Sequence, residues 1–352
     1  MLVKRAMRVG VVYWQQSDEL AVRISGALEY LGYEAIDFLS TAKLPRELDA
    51  VFAYGPFGSL APLANQLSEI PPAHRPPFAF LMTEQLPNPD LPEWLRYGFG
   101  RLRSQAERVA FRRQADGTWQ ITPWLRWLTT RAYRFRYYGD LYWLQRQGIL
   151  SVLAVSSLWV ADFLRARGFN PIVPPPSYYP DWGADLKLER DIPVVWLGKI
   201  ATARRGRLLK RVRAELKQRG VEILMIDGIE NPYVFGKERT ILLNRTKVVL
   251  NLLREKWDDN SLRFTLATYN GALIITEPTL PHTPFLPGVH LVEVPIEQIA
   301  DTICYYLSHE EARRQIVNQA YQLLTQDSTI GKGFAEILEQ VELARRRTIS
   351  EM

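Results

Sequence analysis

Short apolar runs alternate with amphipathic stretches along most of the chain. The opening run MRVGVVYW reads as a strand, and residues 17–31 place apolar side chains at helical spacing up to Gly32. Strand-like runs recur at 35–39, 50–54 and 78–82, with a helix predicted over 59–70. The loop IPPAHRPP favours extended backbone and feeds the strand FAFLM. Residues 91–148 read as helical, basic and aromatic, and a strand over 152–155 and a helix over 158–167 close this series. The segment VPPPSYYPDWG, stiffened by consecutive prolines, reads as a linker.

A second series follows, with strands predicted at 194–197 and 222–226 and helices at 204–219 and 237–244. Its most informative part is KVVLNLLREKWDDNSLRFTLATYNGALIITE, residues 247–277, which reads as strand, polar loop, helix, Gly271 turn and strand. Both apolar runs are continuous, as expected of parallel strands buried on two faces. A further strand is predicted at 290–294, and residues 296–347 are helical, with Ile299, Ile303, Tyr306 and Leu307 on one face. Alternation of this kind predicts an α/β chain with parallel sheets. The expected division is an N-terminal Rossmann-like domain over 1–175, a linker over 176–192, a second Rossmann-like domain over 193–330 and a C-terminal helix over 331–352.

Composition narrows the functional classes. A chain of 352 residues, 47% apolar, is long enough for two domains. A single cysteine, Cys304, excludes a disulfide framework or a cysteine-rich zinc site and suits a reducing cytosol. No run approaches membrane-spanning length and no segment reads as a signal peptide, so a cytoplasmic protein is expected, at most peripheral at the inner face of a membrane. A formal charge of +6 points to anionic partners. Zinc-finger spacing, RNP-type strands and a basic tail are lacking, so nucleic acid is not an expected partner.

Candidate chemistry gathers where strands end. Leu197-Gly198-Lys199 closes the second domain's first strand and Arg204-Arg205-Gly206-Arg207 opens the next helix, placing glycine and cations at the carboxyl edge of a sheet, where ligands of open sheets bind. The alternative is a solvated basic helix face. Asp258, Asp259, Asn260 and Ser261 crowd a helix start, where they could meet an anion or act as plain caps. Glu277 ends a strand at the same edge and could accept from a ligand hydroxyl, or simply stand before Pro278. Glu84, after the strand FAFLM, could take a proton from an acceptor hydroxyl. His74 sits in a proline-rich loop, Gly55-Pro56-Phe57-Gly58 could admit substrate or form a turn, and His282, His290 and His309 lack metal-ligand spacing. Residues 119–143 combine aromatic and arginine side chains, as in a segment that sits on an anionic membrane or in a helical cover packed on a sheet.

The stretch Asn260-Ser261-Leu262-Arg263 followed by Gly271 resembles the C-terminal domain of GT-B glycosyltransferases, in particular the group-1 and spore-maturation-protein-like branch. The resemblance covers residues 193–324 and, in the first domain, only the order of strands and helices. It implies two Rossmann-like domains facing across a cleft, with C-terminal helices, and sugar transfer from a nucleotide-diphosphate donor without metal or further cofactor. Lys199 and Arg205 fall where that family binds the donor diphosphate, with Arg263 as a further candidate. Asp258, Asp259, Asn260 and Glu277 would contact ribose or sugar, and Glu84 would face an unidentified acceptor, whether glycan, lipid-linked or small molecule. One departure stands out: Leu266 occupies the place of the acid that contacts ribose in many group-1 enzymes. That gap keeps open an inactive binding or scaffolding protein, and a nucleotide-sugar epimerase uses the same fold.

Overall fold

The structure, a computed structural model, describes residues 6–15, 18–55, 58–129, 133–176, 182–258, 261–280, 284–326 and 331–350. The chain forms two compact units: residues 1–156, 160–174 and 331–352 make the first, and 157–159 with 175–330 make the second.

The first unit carries a five-stranded sheet of β1 (Arg8–Tyr13), β2 (Glu34–Leu39), β3 (Ala50–Gly55), β4 (Phe78–Met82) and β7 (Leu150–Val155), in the order β2-β1-β3-β4-β7. All its pairings are parallel, with Gly10 opposite Ile36 and Val51, and Phe80 opposite Ala53 and Leu153. Every residue of central β3 is buried, because helices must cover both faces of a parallel sheet. Helices α1 (Glu19–Tyr30), α2 (Ala61–Glu69), α3 (Glu93–Ala110) and α4 (Tyr133–Arg146) lie in the connections between the strands, and α5 (Leu158–Arg165) follows β7. Asp18 caps α1 by accepting from the Ala21 amide at 3.2 Å.

Residues 91–148 are not wholly helical. Between α3 and α4 lies a hairpin of β5 (Phe111–Arg113) and β6 (Trp119–Ile121), closed where Asp116 accepts from Thr118 and Gly117 adopts φ +86°. The last helix returns to this unit: α11 (Lys332–Ser350) packs on α1, β4 and β7, and Phe334 lies edge-on to Phe52 at 5.5 Å.

The second unit repeats the plan. Its sheet of β8 (Ile192–Leu197), β9 (Ile223–Ile226), β10 (Thr246–Asn251), β11 (Leu273–Thr276) and β12 (Val292–Glu293) runs in the order β12-β11-β10-β8-β9, again all parallel. The last strand is shorter than the apolar pattern predicts. Val194, Trp196, Val248, Leu250, Leu273 and Ile275 form one inward face with α6 (Ala203–Gln218), α9 (Ile299–Ser308) and α10 (Glu310–Gln326), while Val195, Val249 and Ile274 are buried on the other. Helices α7 (Gly236–Arg245) and α8 (Ser261–Tyr269) complete the crossovers. A buried amide network fastens the incoming chain: Asn244 donates to the Ala184 carbonyl and to Asn270 Oδ1, and Asn270 donates to the Trp182 carbonyl, all within 3.0 Å. Arg190 bonds the carbonyls of Leu243, Thr246 and Asn270 and occupies the space a side chain would need at Gly271.

Candidate active site

Strand order reverses direction of growth between β8 and β10, and such a switch point opens a crevice at the carboxyl ends of the strands. The residues leaving those two strands build the site. After β8 the backbone turns at Gly198 with φ +112°, and Ala201 is also left-handed at +64°, which brings α6 up directly behind the strand end. Thr202 caps α6, accepting from the Arg205 amide at 3.3 Å while its hydroxyl donates to the Arg254 carbonyl at 3.0 Å. This ties the helix start to the loop after β10.

That loop is organised by two buried carboxylates. Asp258, fully buried, accepts from the Arg254 amide at 3.0 Å, from the Arg254 guanidinium at 3.0 and 3.1 Å, and from Arg205 Nη2 at 3.4 Å. Glu277, at the end of β11, accepts from the Leu253 amide at 2.7 Å and forms a two-pronged pair with Arg204, whose Nη1 lies 3.0 Å from Oε1. Arg204 also bonds the Leu253 carbonyl at 2.9 Å. Arg205 is buried and turned inward, donating to the Lys199 carbonyl at 3.0 Å.

Arg263, in the first turn of α8, donates to Asn251 Oδ1. Asn251 is fully buried and held by its amide on Thr276 Oγ1 at 2.9 Å. The indole of Trp196, anchored by its Nε1 on the Gly198 carbonyl, lies under both Arg205 and Arg263, with guanidinium carbons 5.5 and 5.2 Å from the ring centroid. Arg263 Nη2 reaches to 3.4 Å from where a Cβ at Gly198 would stand, an ordinary contact, so it is the left-handed φ rather than crowding that calls for glycine there.

Electrostatically the cluster lacks negative charge. Arg204, Arg205, Arg254 and Arg263 gather around the buried carboxylates Asp258 and Glu277, with Glu255 acting on Arg204 from farther off, so guanidinium groups still outnumber carboxylates. Burial, then the neighbouring Arg263, pulls Arg205 down to about 9, and burial pulls Arg263 down to about 10. Cations that disfavour one another in this way gain from an anion between them.

Five of the sequence-predicted residues therefore meet at this edge: Lys199, Arg205, Asp258, Arg263 and Glu277. Lys199 is exposed on the loop after β8. Asp259 and Asn260 lie outside the described residues, as do Pro56, Phe57 and His282. Leu266 is buried on α8. Glu84 belongs to the first unit, half-buried in the loop after β4. Next to it Gln85 is buried, and neither side-chain amide atom has a partner among the described residues. His74 is exposed, His290 accepts from the Leu286 amide at 3.1 Å, and His309 stacks on Tyr305. Sequence reading placed Arg204 at this edge without a role of its own, and passed over Arg254, Asn251 and Trp196. Arg254 stands four residues before Asp258, and Asn251 is the one amide closing an apolar strand, which are the local signals that could have found them.

Residues 199–339 match the family described as glycosyl transferase-like. A glycosyltransferase from Rickettsia africae superposes with a TM-score of 0.60 at 9% identity, over 97% of this chain and 99% of that one. The chain has the GT-B glycosyltransferase fold. HepE from Anabaena, solved with UDP and glucose, shares this GT-B fold with a TM-score of 0.55 at 10% identity over 98% of this chain and all of its own. S. aureus TarM does so with a TM-score of 0.55 at 11% identity, over 92% of this chain. The chain spans only 58% of the TarM chain. No curated protein matches significantly in sequence. The resemblance to GT-B glycosyltransferases is thus borne out, whereas the spore-maturation-protein-like branch is not singled out within them.

Proposed function

We propose that the chain transfers a sugar from a nucleotide-diphosphate donor to an acceptor hydroxyl, with the donor diphosphate bound at the β8–β10 switch point of the second unit. The observation that carries this reading is the excess of guanidinium over carboxylate at that edge, beside the capped start of α6. Helix N-termini and clustered cations both favour phosphate. The match of residues 199–339 to the glycosyl transferase-like family supports it, as does a fold shared with a protein solved with UDP and glucose.

As the glycosidic bond breaks, negative charge grows on the leaving diphosphate oxygen. Cations already fixed in place stabilise that charge without reorganising, so the reading needs no metal ion. Lys199, exposed on the loop after β8, and Arg263, stacked over Trp196, are the direct diphosphate ligands in this account. Arg205 and Arg254 act through Asp258 as positioning residues, holding the loop that follows β10. Glu277 orients Arg204 and closes the sugar side of the site. Glu84 is the proposed base for the acceptor. The site lies on a chain in which no described helix is long and apolar enough to cross a membrane.

The test is release of free nucleoside diphosphate from a panel of nucleotide sugars, with chelator present and an array of carbohydrate acceptors. The expected result is acceptor-dependent release from donors of one base, lowered about tenfold or more in Arg263→Ala. Donor conversion without release of diphosphate would point to an epimerase instead. Binding without any conversion would favour the scaffolding reading that buried Leu266 keeps open.

A further inference from the structure

Helix α3 is built inside out. Its inward face carries Arg96, Arg103, Ser104 and Glu107, while Trp94, Leu95, Phe99, Leu102 and Val109 are exposed. At about 100° per residue these five side chains fall in one continuous sector. Each charged residue of that face has an inward partner: Arg96 donates to the Pro89 carbonyl at 2.6 Å, Arg103 to the Leu128 carbonyl, and Glu107 pairs with Arg136 at 3.0 Å. The apolar sector is therefore not displaced core, and single exposed leucines would need no account, but a stripe of this length does.

Two features flank the stripe. On one side the turn at residues 123–129 packs beside α3 and exposes Trp124 and Trp127, at 75% and 51%. On the other, a groove of about 280 Å³ runs between α3 and α4. Arg101, Arg108 and Arg146 line it, and none of its lining residues is acidic. Arg108 sits over Trp143 at 4.2 Å, with Asp140 3.9 Å from its Nη1, and Arg146 sits over Tyr97 at 5.3 Å. The Tyr97 hydroxyl in the same groove is buried and has no partner among the described residues.

We infer that this face of the first unit docks on an anionic lipid bilayer, with the α3 stripe and Trp124 seated at the interface and lipid phosphate held in the arginine groove. Charge complementarity selects this occupant over a second copy of the chain. A cation-lined groove repels its own image, whereas aromatic side chains beside arginines suit the boundary between headgroups and acyl chains. The inference does not depend on the nucleotide site, and it involves residues of the first unit alone.

The experiment is co-sedimentation of the full chain with vesicles of phosphatidylcholine alone or with added phosphatidylglycerol. The expected result is binding to the phosphatidylglycerol vesicles that weakens with salt, and little binding to the neutral ones. Trp94→Ser with Leu102→Ser should abolish it, and each of Arg101→Gln and Arg146→Gln should lower partitioning by about fivefold. All four side chains are at the surface, so unchanged melting temperatures distinguish lost docking from lost folding. Failure of the wild-type chain to sediment would overturn the inference. So would equal sedimentation of the variants, or a dimer in light scattering that the Trp94→Ser, Leu102→Ser chain loses while vesicles are ignored. If inorganic phosphate raises the melting temperature while vesicles leave the chain in solution, the groove binds free phosphate and the membrane role fails.

Discussion

At the scale of single residues, the first unit buries charged side chains in its core. Glu107 and Arg136 are each about 1% exposed and paired at 3.0 Å. Burial raises the Glu107 pKa from 4.5 to about 6, and the opposing Arg136 offsets this only in part. Burial likewise raises Asp140, which accepts from Ser104 beside the pair. Between about 6 and 4.5 the folded chain holds a proton on Glu107 that the unfolded chain has released, so this group favours folding as pH falls through that window. Wild type should therefore gain stability relative to Glu107→Gln when denaturation is measured at pH 5 rather than pH 7. A gap that narrows on acidification would contradict the assignment. At pH 7, Glu107→Ala leaves Arg136 buried without its carboxylate and should cost about 3–5 kcal/mol.

At the scale of elements, α3 and α4 cross backbone to backbone at Gly100 and Gly139. A Cβ on Gly139 would meet the Gly100 carbonyl oxygen at 2.0 Å and its carbon at 2.4 Å, both of them backbone atoms that cannot swing aside. Gly139→Ala should push the helices apart and lower stability by about 3 kcal/mol in urea denaturation. A cost below about 0.5 kcal/mol would mean the helices are not in contact there. This packing explains what the chain discloses and what it hides. The strands β10 and β11 are legible because Val248, Val249, Leu250 and Leu273, Ile274, Ile275 are apolar without interruption, and only burial on both faces permits that. The hairpin β5–β6 is not, since three-residue strands containing Arg112 and Arg113 show no alternation, although Asp116-Gly117 is a turn signal. The reversed polarity of α3 could not be read from its own residues. Its inward Glu107 and Ser104 are partnered by Arg136 and Asp140 of α4, 29 and 36 residues away, and its inward Arg96 and Arg103 by the Pro89 and Leu128 carbonyls.

For the molecule as a whole, one plan occurs twice. Each sheet has its second strand at one edge, its first beside it and the remainder following in order, so each unit has one switch point. In the second unit the guanidinium cluster gathers there. Half of that site was legible, because Gly198, Lys199, Asp258 and Glu277 each end an apolar strand or precede a helix. The remainder arises from pairings between distant segments: Arg205 with Asp258 over 53 residues and Arg204 with Glu277 over 73, which no local pattern encodes. The central claim is that this edge binds the diphosphate of a nucleotide donor. Its most direct test is thermal unfolding of the wild-type chain, and of a Lys199→Ala, Arg263→Ala chain, across a panel of nucleoside diphosphates without metal. The account predicts that one base raises the wild-type melting temperature by about 5 °C at a hundredfold excess over its dissociation constant, and that the variant loses most of this shift. An equal shift in both chains would place the donor elsewhere, and no shift with any nucleotide would contradict donor binding altogether.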